Sequence, residues 1–158
     1  MNCNNNCTTC ESSCLVLCPV CGIKGMKVNY KTVSKLLKDN THLFKEDVYL
    51  CTNKKCNIAY YQVDNPNTFN KEEVKVPIWF KEKYDKYLVC YCHNIYLSDI
   101  VKYVLECNTV DKITIDEIKN KFPKVYDSCD ICNPTGVSCE KLFNNSIDFA
   151  YKQKEEDK

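Results

Sequence analysis

Cys18 and Cys21 are separated by two residues, and Cys51 and Cys56 by four. Each pair can approach one ion from a tight turn, and the 29 residues between the pairs leave room for a helix and a strand. Four thiolates in a tetrahedral arrangement suit Zn²⁺, which has no redox chemistry of its own. A closed four-thiolate site has no open position for a substrate, so its expected role is structural: it supplies folding free energy that a small core lacks. His42 lies between the pairs and could replace one thiolate, but reads better as a surface residue.

Cys90 and Cys92 flank a single tyrosine. That gap is too short for the usual zinc knuckle, but it can put two ligands on one iron of a binuclear cluster. Cys129, Cys132 and Cys139 lie further along and can close the other side. Cysteine thiolates in fours are the standard holders of [2Fe–2S] clusters. Three candidates compete for two places, and by spacing alone Cys129 and Cys132 form the simpler pair. His93, next to Cys92, could tune or ligate such a cluster.

The leader carries Cys3, Cys7, Cys10 and Cys14, which on a helix would share one face. Cys7 and Cys10 offer two thiolates for a Cu(I) site, and thiolates favour Cu(I). Cys107 follows a helical stretch alone and reads as packing.

The elements that must carry these ligands are legible in outline. The expected fold class is α+β: a small zinc-centred β/α unit followed by a mostly helical [2Fe–2S]-binding unit. The expected segments are a cysteine-rich leader at 1–16, a zinc module at 17–82 and a cluster module at 83–158. Thr32 is the expected N-cap of a helix through Val33, Leu36 and Leu37. Asp47 to Leu50 reads as a strand entering Cys51, and Asn57 to Val63 as a strand leaving Cys56. Val74 to Ile78 reads as an edge strand, Trp79 and Phe80 as core, and Lys81 to Lys86 as a solvated connection. Ser98 is the expected cap of a helix over 99–106, and Thr114 with Glu117 a capping box opening a helix through Ile118 and Phe122. Pro123 should stop that helix, Asn133 to Gly136 should turn, and Glu140 to Lys154 should form a last helix.

The stretches Cys18-Pro19-Val20-Cys21-Gly22 and Tyr49-Leu50-Cys51 through Cys56-Asn57-Ile58-Ala59-Tyr60-Tyr61 resemble the zinc module of CopZ-type copper chaperones. Val89-Cys90-Tyr91-Cys92 and Cys129-Asp130-Ile131-Cys132-Asn133-Pro134-Thr135-Gly136-Val137-Ser138-Cys139 resemble that family's [2Fe–2S] module. The latter is similar to the small domain of bacterioferritin-associated ferredoxin. The resemblance covers about residues 17–143. It implies zinc on Cys18, Cys21, Cys51 and Cys56, and the cluster on Cys90, Cys92, Cys129 and Cys139, with Cys132 as the alternative ligand. The family commonly ends its cluster loop with two adjacent cysteines, where this chain has Ser138 before Cys139. The family's ferredoxin-like copper domain, with its Met-x-Cys-x-x-Cys motif, has no counterpart in these 158 residues. Copper carriage by that route is not expected.

Composition narrows the classes further. The basic residues number 22 against 21 acidic, and all are lysine. Base-specific readers lean on arginine's planar fork, and a balanced charge makes no field for a polyanion. Nucleic acid is therefore not an expected partner. No apolar run is long enough to span a bilayer, and no signal peptide opens the chain, so a cytoplasmic location is expected. The 14 cysteines then point to metal rather than disulfides. The expected partners are metal ions, a copper-transporting ATPase or a redox partner protein. The expected function is copper handling with a Cu(II)-to-Cu(I) redox role; the alternative is a [2Fe–2S] electron-transfer or regulatory module with a structural zinc. No enzyme activity beyond metal reduction is expected.

Overall fold

The computed structural model describes residues 15–65, 67–109, 111–126 and 128–156. Four antiparallel strands form a meander in chain order: β1 (Gly25–Val28), β2 (Val48–Cys51), β3 (Ile58–Gln62) and β4 (Thr68–Asn70). All five residues of β3 are buried, as befits an inner strand. Helix α1 (Tyr30–Leu36) places Val33 and Leu36 in a core with Val48, Leu50, Tyr60 and Phe69.

A short hairpin follows, β5 (Leu88–Cys90) and β6 (Ile95–Tyr96), and Asn94 makes its turn at φ 53°. The rest is helical: α2 (Leu97–Glu106), α3 (Ile115–Lys119), the single turn α4 (Cys129–Cys132) and α5 (Glu140–Glu156). Helix α2 buries Ile100, Val101 and Val104 in one core with Phe143, Ile147 and Ala150 of α5. That is the apolar stripe at 3–4 spacing that an amphipathic helix presents. The mixed α+β architecture is the one expected.

Several local expectations differ. The N-cap of α1 is Asn29, whose side chain accepts from Lys31 N–H at 2.9 Å. Thr32 is instead buried inside the helix. The cap of α2 is Tyr96, whose N–H donates to the Asp99 carboxylate at 2.9 Å, so Ser98 is already helical. The edge strand is Thr68–Asn70, and 74–78 contributes a single bridge, Val74 to Leu37. Helix α3 ends at Lys119, before Phe122. Trp79 is half-buried, edge-on to Phe80 at 5.2 Å. Lys81 is buried rather than solvated.

Segment 129–139 leans on the sheet and α1. Thr32 Oγ1 donates to the Asp130 carbonyl at 2.6 Å, and the Tyr60 hydroxyl donates to the Pro134 carbonyl at 2.8 Å. Gly136 turns the loop at φ 70°, and a Cβ there would come within 3.4 Å of Val28 Cγ1. Tyr60 is itself part of the sheet core, so this bond links that core to the loop.

Candidate metal centres

The first centre is built by two turns at one end of the sheet. In the Cys18–Cys21 turn, Gly22 N–H donates to the Cys18 carbonyl at 2.9 Å, and Cys18 N–H to the Ile23 carbonyl at 2.9 Å. Gly22 takes φ 69°, the left-handed region that glycine enters without steric cost. Cys51 ends β2. Asn53 then organises the return: its side chain accepts from Lys55 N–H at 3.0 Å, and its carbonyl from Cys56 N–H at 3.2 Å.

These turns bring Cys18, Cys21, Cys51 and Cys56 together, with all four sulfurs within 4.8 Å of one another. Cys21 and Cys51 are 3.6 Å apart. Sulfurs bound about 2.3 Å from a tetrahedral zinc lie about 3.8 Å from each other, so the donor set fits the ion. Every described cysteine is free rather than disulfide-bonded. Cys18, Cys51 and Cys56 are buried, and Cys21 is half-buried. Tyr61 closes the back: its hydroxyl donates to the Val16 carbonyl at 3.1 Å, and its ring stacks on Tyr49 at 5.9 Å. Tyr61 needs Gly25 beneath it, because a Cβ at 25 would overlap the hydroxyl and leave only 2.8 Å to Cζ.

Burial opposes ionisation of Cys21, yet the Ile23 backbone, the Asn53 side chain and the neighbouring thiols together pull it down to about 6. Burial, reinforced by the Cys21 and Cys18 sulfurs, pushes Cys51 up to about 12, and burial raises Cys56. The Cys21 sulfur adds to the rise of Cys51 and Cys56, as expected of groups sharing one site.

Lys81 was not expected here. Its ammonium donates to the carbonyls of Asn53 at 2.6 Å and Cys56 at 3.0 Å, under the second turn. A lysine in a lysine-rich stretch gives no sequence signal for this, because only the tertiary path brings it back under the turn. His42 is exposed and stands apart from the sulfur group, as expected.

The second centre gathers five sulfurs. Cys90 ends β5, Cys92 lies in the hairpin turn, Cys129 and Cys132 begin and end α4, and Cys139 precedes α5, its carbonyl accepting from Phe143 N–H at 2.8 Å. Cys139 and Cys90 are 3.7 Å apart, a tetrahedral edge. Cys92 is 2.6 Å from Cys129, closer than such an edge, and 3.9 Å from Cys132. Cys90 and Cys92, with His93, keep their ligand atoms within 4.8 Å of one another, while Cys90 also meets Cys139 and Cys92 meets both Cys129 and Cys132. His93 Nδ1 lies 3.6 Å from Cys90 Sγ. The sulfur of Cys139 hydrogen-bonds Cys90, and with help from His93 and Lys119 holds Cys90 down to about 5 against its burial. Cys139 is raised in turn by Cys90, while Cys92 and Cys132 are raised chiefly by burial. Thiols linked in this way, none in a disulfide, suit soft metals and iron–sulfur chemistry. Cys3, Cys7, Cys10 and Cys14, including the expected Cu(I) pair, lie outside the described residues. Cys107 is half-buried against the helical core, as packing requires.

An α+β fold with two such thiol groups defines a cysteine-rich metal-binding protein. The family model of the CopZ zinc binding domain matches residues 15–75, a span that contains all of the first sulfur group. The X-ray structure of the Archaeoglobus fulgidus CopZ N-terminal domain matches with a TM-score of 0.65 and 24% identity. That match covers 82% of this chain and 96% of that one. No curated protein matches. Residues 15–75 thus resemble a CopZ zinc binding domain, and the chain shares the fold of that N-terminal domain. No helix of the described residues is long and apolar enough to cross a membrane.

Proposed function

We propose that this chain binds one structural zinc through Cys18, Cys21, Cys51 and Cys56, and one [2Fe–2S] cluster through Cys90, Cys92, Cys129 and Cys139, in the service of copper handling. In this reading residues 17–82 are the zinc module, 83–158 the cluster module and 1–16 the leader. The observation that carries it is the gathering of nine thiols into two separate groups, four and five strong, with no disulfide among them. Similarity to the zinc binding domain of CopZ supports the zinc assignment. Likeness in fold to the CopZ N-terminal domain supports a role beside copper.

Copper is the substrate in this scheme, not a resident cofactor. A [2Fe–2S] centre supplies single electrons, and one electron converts Cu(II) to Cu(I), with an electron-transfer protein as donor. The leader thiols Cys7 and Cys10 would receive the Cu(I), which two thiolates hold well. A copper-transporting ATPase or a redox protein is the partner this chemistry calls for. The same two groups also serve a plain electron-transfer or regulatory module, and copper binding separates the two readings.

The test is anaerobic purification with metal analysis, followed by electron paramagnetic resonance after dithionite reduction. One zinc, two irons and two acid-labile sulfides per chain are expected. A chain that takes up zinc alone overturns the cluster assignment. Cu(I) titration of a Cys3/Cys7/Cys10/Cys14→Ser variant should lose tight copper binding, and unchanged stoichiometry ends the leader's role.

A further inference from the structure

A [2Fe–2S] centre is completed by four thiolates, yet the second group holds five. Building on the cluster reading above, we propose that Cys129 and Cys132 are interchangeable ligands, so that Cys90, Cys92 and Cys139 hold the centre with either one. Cys129 and Cys132 bracket the single turn α4. Residues three apart on a helix face the same way. Both sulfurs accordingly meet Cys92, Cys129 at 2.6 Å and Cys132 at 3.9 Å.

The two differ in surroundings. Cys132 is 4% exposed, whereas Cys129 is half-buried. Among the described residues, the Cys132 sulfur has polar contacts with Cys92 Sγ and with the Cys129 carbonyl at 4.0 Å, both within this group. A buried thiol placed only against a ligand sulfur has no structural partner to hold it elsewhere. A cavity of about 380 Å³ between α1 and the cluster loop is lined by Lys35, Lys75, Tyr126 and Cys132. Cys139 has no such understudy, since no cysteine lies within five residues of it.

The exchange balances without any further reactant. The iron bond to Cys129 sulfur breaks and one to Cys132 sulfur forms. The Cys132 thiol proton ends on Cys129, and no oxidation state changes. The swap moves one ligand from a half-buried position to a buried one, so the centre has two environments within one fold.

The experiment uses the full chain carrying Cys129→Ala, Cys132→Ala, both together, or Cys139→Ala, because alanine cannot ligate. Each is reconstituted anaerobically with ferrous iron and sulfide, and read by iron, sulfide and zinc per chain and by electron paramagnetic resonance. Retained zinc reports the folded state, and Cys129→Val repeats the test if the alanine chain loses zinc. Both single variants at α4 should keep two irons, with shifted g-values in Cys129→Ala. The double variant and Cys139→Ala should lose iron at least fivefold. If Cys129→Ala falls to the level of the double variant while the unsubstituted chain keeps its cluster, the interchange is overturned. An unsubstituted chain without iron overturns the cluster reading and the interchange together.

Discussion

The ammonium of Lys81 donates to the carbonyl oxygen of Cys56 at 3.0 Å, in a position only 7% exposed. A buried lysine is rare unless its charge is compensated. Here two carbonyls bind it, and Lys81 is among the groups that lower Cys51 against its burial. Lys81→Met keeps the stem but strands the Asn53 and Cys56 carbonyls. The expected cost is about 1–3 kcal/mol of stability. Denaturant unfolding should read that loss, and a chromophoric chelator should take zinc from the variant faster.

Tyr60 and Thr32 tie the sheet and α1 to the loop that carries Cys129 and Cys139. Tyr60→Phe and Thr32→Val each delete one of these bonds with little change in shape. Each should cost about 1 kcal/mol. If the loop is held from the sheet side, both variants should also bleach faster in air while zinc content stays unchanged. Equal bleaching rates would show that the loop holds its ligands unaided.

Gly25 lies against the ring of Tyr61, and the clash is with the end of a buried, stacked side chain. Gly25→Ala must displace Tyr61 and break its bond to Val16, which precedes the first zinc-side turn. Overpacking of this kind costs about 1–3 kcal/mol. The variant should bind zinc more weakly in competition titration, and Gly25→Ala/Tyr61→Phe should recover part of the loss.

Cys21 is held down to about 6 by its backbone and side-chain donors, in spite of burial. The sign follows from a lowered acid: the thiolate is present above about 6 and is lost as pH falls through it. Zinc competes with protons for its thiolates. Thiolate absorbance at 240 nm in the metal-free chain should therefore show an early step near pH 6, absent from Cys21→Ser. Zinc retention should fall as pH drops below that step.

Residue spacing alone paired Cys18 with Cys21 and Cys51 with Cys56, because such turn-forming pairs fix their own local geometry, but it left Cys129, Cys132 and Cys139 as competing partners for Cys90 and Cys92. It also determined the α+β class, through the short β-type runs around Cys51 and Cys56 and the 3–4 apolar spacing of α2 and α5. Helix starts were less legible. Asn29 and Tyr96 cap where Thr32 and Ser98 were expected, since several polar residues near a helix start can all bond a free N–H and packing chooses among them.

What only the tertiary structure decided were relationships between distant residues. Lys81 looked like part of a solvated lysine run, and became buried because the chain passes under the Cys51–Cys56 turn. Thr32 reaches Asp130 across 98 positions, and Cys90 pairs with Cys139 across 49. No local pattern encodes such contacts, because their free energy comes from burying two surfaces that are adjacent only once the whole chain has folded.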